Sequence, residues 1–250
     1  GEVRGFLVLF ADLTAAQEKA ERSRLADSLA QLGEMAGGIA HELRNGLATL
    51  KGYLTLASRK PDAATLDEYL GEMRREADQL ERVLSDFLAF AQPGIRPGAD
   101  LRTEVDLGAL LARAASDPSL GGAAITLEIE PKLAVWGDEA LLSRALRNLL
   151  RNAIEANGRD GRNEPDEPLV IGARRLEDRV EITIDDRGPG VPPEIRSRLF
   201  QPFATGRADG VGLGLALAQR IVTLHDGRIT LEDREGGGTR ARVDLPAISS

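Results

Sequence analysis

The chain has 250 residues, about two domains' worth, with 42% hydrophobic and 29% charged residues, no cysteine and two histidines. The missing thiols exclude disulfides, thiolate catalysis and cysteine-held metal centres, and two histidines are too few for a multi-histidine metal site. Thirty-two basic against forty acidic residues give a net charge of −8, which argues against nucleic acid as a partner, and the longest apolar run, Phe6 to Ala11, falls far short of a bilayer crossing.

Phe6 to Phe10 has the composition of a short strand, and Asp12-Leu13-Thr14 follows it. Thr14 with Gln17 fits a capping box, which opens a helix by satisfying its orphan amides. Leu25, Leu29, Leu32, Ala36, Ile39, Leu43, Gly46, Leu50, Tyr53 and Ala57 then recur at spacings of four and three, a heptad-like seam. Arg59 to Ala64, with Pro61 and Asp62, breaks it. Thr65 with Glu68 fits a second capping box, and Leu66, Leu70, Met73, Ala77, Leu80, Leu84, Phe87 and Ala91 form a second seam. Two such helices predict an antiparallel hairpin. A lone hairpin leaves much of each seam wet, so a homodimeric four-helix bundle is expected.

Gln92 to Gly98 holds two prolines and two glycines and predicts a linker. Beyond it, Leu107–Ala115 is expected as a helix, Ile125–Ile129 as a strand, and a helix capped by Asp138 runs to about Ala156. Leu169–Arg174, Val180–Ile184, Arg228–Leu231 and Thr239–Leu245 are expected strands, with a helix over Gly212–Leu224. The result is an α/β layer with an aliphatic core. Trp136, the only tryptophan, is expected in that core, and His225 is expected as a structural turn residue.

His41 lies nearly opposite the first seam, at 100° per residue, with Glu42 beside it and Asn45 one turn on. A neutral imidazole is a competent nucleophile near pH 7, and a carboxylate accepting its proton would orient the other nitrogen. Gly33, Gly37, Gly38 and Gly46 crowd the same helix at about 1 kcal/mol each, a density that suits close approach of something bulky. Downstream, Asn148 to Ala153 places Asn148 and Asn152 on one helix face, Asp186-Arg187-Gly188-Pro189-Gly190 follows a strand, and Gly210 to Leu215 opens a helix with backbone donors suited to phosphate. No strand–helix unit surrounds that glycine run and no P-loop occurs, so neither a dinucleotide fold nor a P-loop site is supported.

In order and spacing these segments resemble the boxes of sensor histidine kinases. Gly38 to Asn45 is similar to their H-box, Asn148 to Ala153 to the N-box, Asp186 to Gly190 to G1, Leu199 to Phe203 to the F-box, Gly210 to Leu215 to G2, and Gly237-Gly238-Thr239 to a last glycine box. The short stretch from Phe203 to Gly210 resembles the compact ATP lid of the nitrogen-regulation subgroup, and Phe6 to Thr14 resembles the end of a PAS sensor domain. The resemblance implies an α+β multidomain chain. Residues 1–14 would end a sensor domain, 15–91 would form the dimerising phosphoacceptor hairpin, 92–100 a hinge, and 101–250 an α/β sandwich of the Bergerat ATP-binding fold.

The resemblance further implies an ATP- and Mg²⁺-dependent kinase, cytoplasmic and homodimeric, that passes its phosphoryl group to the receiver domain of a response regulator. His41 would be the acceptor, Glu42 its base or orienting partner, and Asn45 the residue positioning water in a phosphatase reaction. Asn152 would hold Mg²⁺, Asn148 and Arg151 would flank the phosphates, and Asp186 would accept from the adenine amino group. Gly188, Gly190 and Val191 would pass close to the base, with Thr239 behind Asp186. Phe203, Arg207, Gly210, Gly212, Leu213, Gly214 and Leu215 would frame the lid and phosphates. Gly46 stands where the family usually has proline, and permits bending rather than forcing it; Glu155 stands where many relatives have lysine. A catalytically silent nucleotide-binding dimeric scaffold is the other reading, and an ATPase clamp or chaperone of the same superfamily would lack the histidine hairpin.

Overall fold

The computed structural model describes residues 14–59, 61–91, 102–158, 168–205 and 212–248. The expected strand at 6–10, the linker 92–100 and the lid residues Arg207 and Gly210 lie outside these residues. The Thr14–Gln17 box and the seam positions Leu25, Leu29, Leu32 and Ala91 lie outside the described side chains.

Helices α1 (Thr14–Ala57) and α2 (Ala63–Ala91) form the hairpin. The second capping box is corrected by one turn: Asp62, not Thr65, is the cap, its Oδ1 accepting from the Thr65 N–H at 2.9 Å. The carboxylate at the end of the Pro61-Asp62 break reaches the third helical amide, and the helix therefore starts at Ala63. On α1 the seam holds from Ile39 to Ala57, buried or half-buried throughout. On α2 the stripe facing the hairpin interior is Leu66, Tyr69, Met73, Glu76, Leu80, Val83 and Phe87, whereas the expected Leu70, Ala77 and Leu84 are exposed. The two registers share Leu66, Met73, Leu80 and Phe87. The helix is apolar over a wider arc than one neighbour covers, and Leu70, Leu84 and Leu88 face outward, as do Leu47, Leu54 and Leu56 on α1.

Gly46 is buried in this seam, and a Cβ there would stand 2.5 Å from Leu80 Cδ2 and 2.6 Å from Glu76 Oε1. Its bare α-carbon lets the helices approach, a packing role beyond the bending expected of it. Farther along, the Tyr53 and Tyr69 rings meet at a 45° tilt with centroids 5.8 Å apart.

The remaining elements are β1 (Thr103–Asp106), α3 (Leu107–Ala115), a 3₁₀ turn at Pro118–Leu120, β2 (Ile125–Ile129), β3 (Ala134–Gly137), α4 (Glu139–Asn157), β4 (Leu169–Leu176), β5 (Arg179–Asp185), α5 (Pro193–Arg196), α6 (Gly214–Leu224), β6 (Arg228–Asp233) and β7 (Thr239–Pro246). Five strands form one sheet in the order β2-β4-β5-β7-β6, parallel between β2 and β4 and antiparallel elsewhere. Val180, Ile182 and Ile184 of β5 point to one face, where Leu107, Leu110 and Leu111 of α3, Leu149 and Leu150 of α4, and Leu217 and Ile221 of α6 complete the core. The opposite face carries Glu181, Thr183 and Asp185 under arginines of the neighbouring strands. No described helix is long and apolar enough to cross a membrane.

β1 and β3 pair antiparallel as a separate ribbon, with Val105 opposite Val135 and Glu104 opposite Trp136. This corrects the placement of Trp136: it is 56% exposed. In a ribbon with one covered face, strand alternation sends Val105 and Val135 inward and Trp136 to solvent.

His225 is buried at the end of α6 and ties two elements together. Its Nδ1 lies 2.7 Å from the Ile221 carbonyl oxygen, and its Nε2 accepts from the Asp138 N–H at 3.0 Å. Both contacts require a neutral ring with the proton on Nδ1. Burial, with a contribution from the Arg102 charge, pushes the imidazole pKa down. Protonation is thus easier in the unfolded chain, and the bridge contributes stability that is present above the unfolded value of about 6.5. That stability is lost as pH falls from there through the folded value. The unfolding free energy of the α/β unit should fall between pH 7.5 and 5.5, by up to about 1.4 kcal/mol per pH unit within that window, with a matching fall in thermal midpoint, and this dependence should be absent in His225→Gln.

Candidate functional site

The α4 helix positions the first part of the site. Asp138 caps it, Oδ1 accepting from the amides of Ala140 and Leu141 at 3.0 and 3.1 Å. Leu142, Ala145, Leu146, Leu149, Leu150 and Ala153 are buried, which fixes the rotation of the helix and turns Arg151 and Asn152 into an adjoining cavity of about 590 Å³. Asn148 stands behind that wall. Its Oδ1 accepts from Arg151 Nη2 at 3.0 Å, and its Nδ2 is buried without a partner, a donor held ready beside the mouth of α6.

β5 delivers the second part. Two residues beyond Ile184, Asp186 is 7% exposed, and its Oδ1 accepts from the N–H groups of Gly188 at 3.0 Å and Thr239 at 2.9 Å. The Asp186 N–H in turn donates to the Thr239 carbonyl oxygen at 2.9 Å. Desolvation pushes the Asp186 carboxyl above its ordinary range, opposed by those amide donors. Gly190 adopts φ +80, a left-handed conformation suited to glycine. Gly188 is bare for a different reason from the one expected: a Cβ there would meet Ala156 Cβ at 2.8 Å and the Ala156 carbonyl oxygen at 2.9 Å, so its close approach is to the end of α4.

α6 closes the opposite end. Leu213 precedes its first turn with no side-chain cap, so the amides around Gly214 and Leu215 are available to an anion at the cavity edge. Arg151, Asn152, Asp186, Gly190, Val191, Gly212, Leu213, Gly214, Leu215 and Thr239 all line the cavity. Asn148, Gly188 and Phe203 do not. The aliphatic walls were not singled out from sequence: Ala153 and Ala156 on α4, Ile184 on β5, and Ile195 and Leu199 around α5. The spacing of Asn152, Ala153 and Ala156 on one helix is the trace they leave in the sequence. A carboxylate oriented by two amides at one end and a cluster of donors at the other, joined by apolar walls, suits a flat heteroaromatic base carrying a phosphate chain.

His41, Glu42 and Asn45 are on α1, outside this cavity. His41 is exposed, and its Nδ1 contacts Asn45 Nδ2 at 3.2 Å rather than Glu42. Amide orientation and ring tautomer set one another here. With the amide nitrogen donating, the ring proton sits on Nε2; with the amide turned over, Nδ1–H donates to Oδ1 and Nε2 carries the lone pair.

The cavity and the histidine helix meet. Ile39, Val83 and Leu213 form a buried cluster with Leu43, Phe87 and Phe203 packed on it. Phe203, held at φ 63, lays its ring on Gly38, where a Cβ would come within 2.7 Å of Cε1. That ring accounts for Gly38, one turn before His41, as Leu80 and Glu76 account for Gly46, whereas Gly33 and Gly37 have no heavy atom within 4 Å of a Cβ position. From α2, Gln79, Arg82, Val83 and Asp86 also line the cavity; nothing in their spacing announced it.

Comparison with known proteins follows the same division. Residues 31–94 match the His Kinase A (phospho-acceptor) domain, and residues 137–249 match the histidine kinase-, DNA gyrase B-, and HSP90-like ATPase family. Signal transduction histidine-protein kinase AtoS of Escherichia coli is 33% identical over 98% of this chain and 40% of its own length. Sensor histidine kinase ZraS of Salmonella typhi is 32% identical over 93% of the chain and 50% of its own length. The chain thus spans half or less of these two relatives. Among solved structures, histidine kinase ThkA in complex with response regulator protein TrrA superposes with TM-score 0.71 at 25% identity, covering 94% of this chain and 68% of that one. Full-length ShkA in complex with AMPPNP gives 0.58 at 26% identity, covering 87% and 46%.

Gly38→Val should expel the Phe203 ring and weaken the contact between hairpin and α/β unit by about 1–3 kcal/mol. Small-angle scattering should show a larger radius of gyration, while the α/β unit keeps its thermal midpoint.

Proposed function

Because this chain belongs to the sensor histidine kinases, we propose that it binds ATP in the cavity between α4, α6 and the sheet and transfers the γ-phosphoryl group to His41. The observation that carries this reading is the pairing of an amide-oriented, buried Asp186 in an apolar-walled cavity with an exposed histidine on the helix that the same unit contacts. On this reading the chain divides into a hairpin over 15–91, a linker over 92–100 and an ATP-binding unit over 101–250, which the family matches over 31–94 and 137–249 support in outline.

Asp186 accepts from the adenine amino group, a task for an acceptor-only carboxylate, and Thr239 holds it in place. The base lies between Ala153, Ala156, Ile184 and Leu199. Asn148 Nδ2, Arg151 and the first amides of α6 take the phosphates, with Arg207 and Gly210 contributing from the lid. Asn152 supplies the protein oxygen for Mg²⁺, which is usually held by few side chains plus phosphate. The ion, when bound, neutralises charge on the β- and γ-phosphates. The unpartnered buried donor of Asn148 suits a phosphate oxygen, and Asn152, one turn on and lining the cavity, carries the amide oxygen such an ion takes.

In the transfer, the Nε2 lone pair of His41 forms the N–P bond as the bond to the β-bridging oxygen breaks and ADP leaves. Nδ1–H then gives up its proton to Glu42, which replaces Asn45 at that nitrogen after the transfer. The state with the Asn45 amide oxygen toward Nδ1–H is the nucleophilic one. Most of the rate comes from positioning and electrostatics. The phosphoryl group then passes to an aspartate on a response regulator, and Asn45 positions water for the separate hydrolysis of that aspartyl phosphate to carboxylate and inorganic phosphate. A second copy covers the outward leucines of the hairpin, giving the homodimeric bundle.

Incubation with γ-labelled ATP and Mg²⁺ should give acid-labile, base-stable label that is absent in His41→Ala. Asp186→Asn should keep the fold and lower ATP affinity about tenfold or more. ATP bound without label on His41 would replace the kinase reading by the silent scaffold.

A further inference from the structure

The hairpin does more than present His41: it closes one wall of the nucleotide cavity, and that wall carries a carboxylate. Asp86 of α2 lines the cavity and has a side chain 14% exposed. Its Oδ2 lies 3.5 Å from Arg151 Nη2, and its Oδ1 lies 3.3 Å from Arg144 Nη2. Arg144 also donates to the Ser85 carbonyl oxygen at 2.6 Å and to Ser85 Oγ at 3.1 Å. Two successive turns of α4 therefore grip one turn of α2 through a single acidic side chain.

Arg151 also belongs to the phosphate end of the cavity, next to Asn148 and the first turn of α6. Both hydrogens of Nη2 are engaged, by Asn148 Oδ1 at 3.0 Å and Asp86 Oδ2 at 3.5 Å, and Glu155 Oε1 stands 3.9 Å from Nε. A phosphate chain that takes Nη2 therefore has to displace one of its present partners, the longer-held Asp86 first. Arg82 brings a positive charge to the same wall, so the wall is not simply repulsive. The conflict is confined to Arg151.

We infer that Asp86 is an affinity-determining residue that competes with the nucleotide phosphates for Arg151, so that ATP binding and the docking of the α/β unit on α2 oppose each other. The inference rests on the ATP-site reading above. By linkage the opposition is reciprocal: a nucleotide that takes Arg151 loosens the α2 contact, and a contact that holds Arg151 weakens nucleotide binding. Phosphate charge drives the exchange, so ATP releases the unit more strongly than adenosine, which has the base contacts alone. The Phe203–Gly38 contact does not touch Arg151 and persists as a tether when the ion pair opens.

The test is calorimetric binding of AMPPNP and of adenosine to the full chain, to Asp86→Asn, to Arg151→Gln and to the double variant. Asp86→Asn is nearly isosteric and keeps the α2 helix. It should bind AMPPNP about fivefold tighter or more while leaving adenosine unchanged. In the Arg151→Gln background the same substitution should bring no gain. An Asp86→Asn affinity for AMPPNP equal to or weaker than that of the parent would overturn the competition and make Asp86 a support for Arg151. An equal gain for adenosine would overturn the phosphate basis. Absence of AMPPNP binding by every protein would instead remove the ATP-site reading and the competition with it.

Discussion

The site depends on one apolar contact, the burial of one stripe of α4 against the sheet. Leu149 and Leu150 are 2% and 0% exposed, and Ile182 and Ile184 opposite them are 1%. Burying a leucine or isoleucine of this kind contributes about 1.5–3 kcal/mol, and several acting together leave the helix no freedom to roll. With the roll fixed, the two residues between buried Leu150 and buried Ala153 are fixed too. Arg151 and Asn152 face the cavity because their neighbours cannot. The same contact sets the height of β5, and with it the point at which Asp186 leaves the sheet.

Much of this was legible in the sequence, because periodicity reports which face is buried. The seam of α1 from Ile39 to Ala57, the Asp138 cap, the expected helix and strand segments beyond the linker and the exposure of His41 all follow from local pattern. What escaped has non-local causes. β1 and β3 are four residues each and pair across an intervening helix, a turn and a strand, so neither carries an alternating pattern long enough to recognise. The exposure of Trp136 is not written in its hydrophobicity, which cannot tell which side of a ribbon is covered. On α2 both registers are apolar, and only the partner's shape selects Tyr69 and Val83 over Leu70 and Leu84. The partner of Gly38 lies 165 positions away in Phe203, a distance that no local rule spans.

The outer face of the sheet shows how so many charges coexist with a specific fold. Glu181, 2% exposed, receives Arg174 Nη2 and Arg242 Nη1, each at 2.7 Å, and Arg242 also reaches Glu232 at 3.1 Å. Asp185 is held by Arg240 and Arg234. Such pairs add little net stability. They do specify register, since a one-residue slip of β5 against β7 would turn Glu181 and Asp185 into the aliphatic core. These arginines are spent within the sheet, and the face they cover is a neutralised mosaic.

Phe203 and Gly38 belong to different units yet occupy one volume. The phenylalanine holds a left-handed backbone, costly for a bulky side chain, with its N–H on the Gly212 carbonyl oxygen at 3.1 Å, and its ring rests on a helix surface with no side chain. Neither position is free to drift alone: enlarging 38 evicts the ring, and shrinking 203 leaves a void over bare helix. Hairpins and ATP-binding units exchanged between chains, by recombination or in the laboratory, would therefore have to travel with this pair matched. A graft that ignored it would join two intact halves that no longer fit face to face.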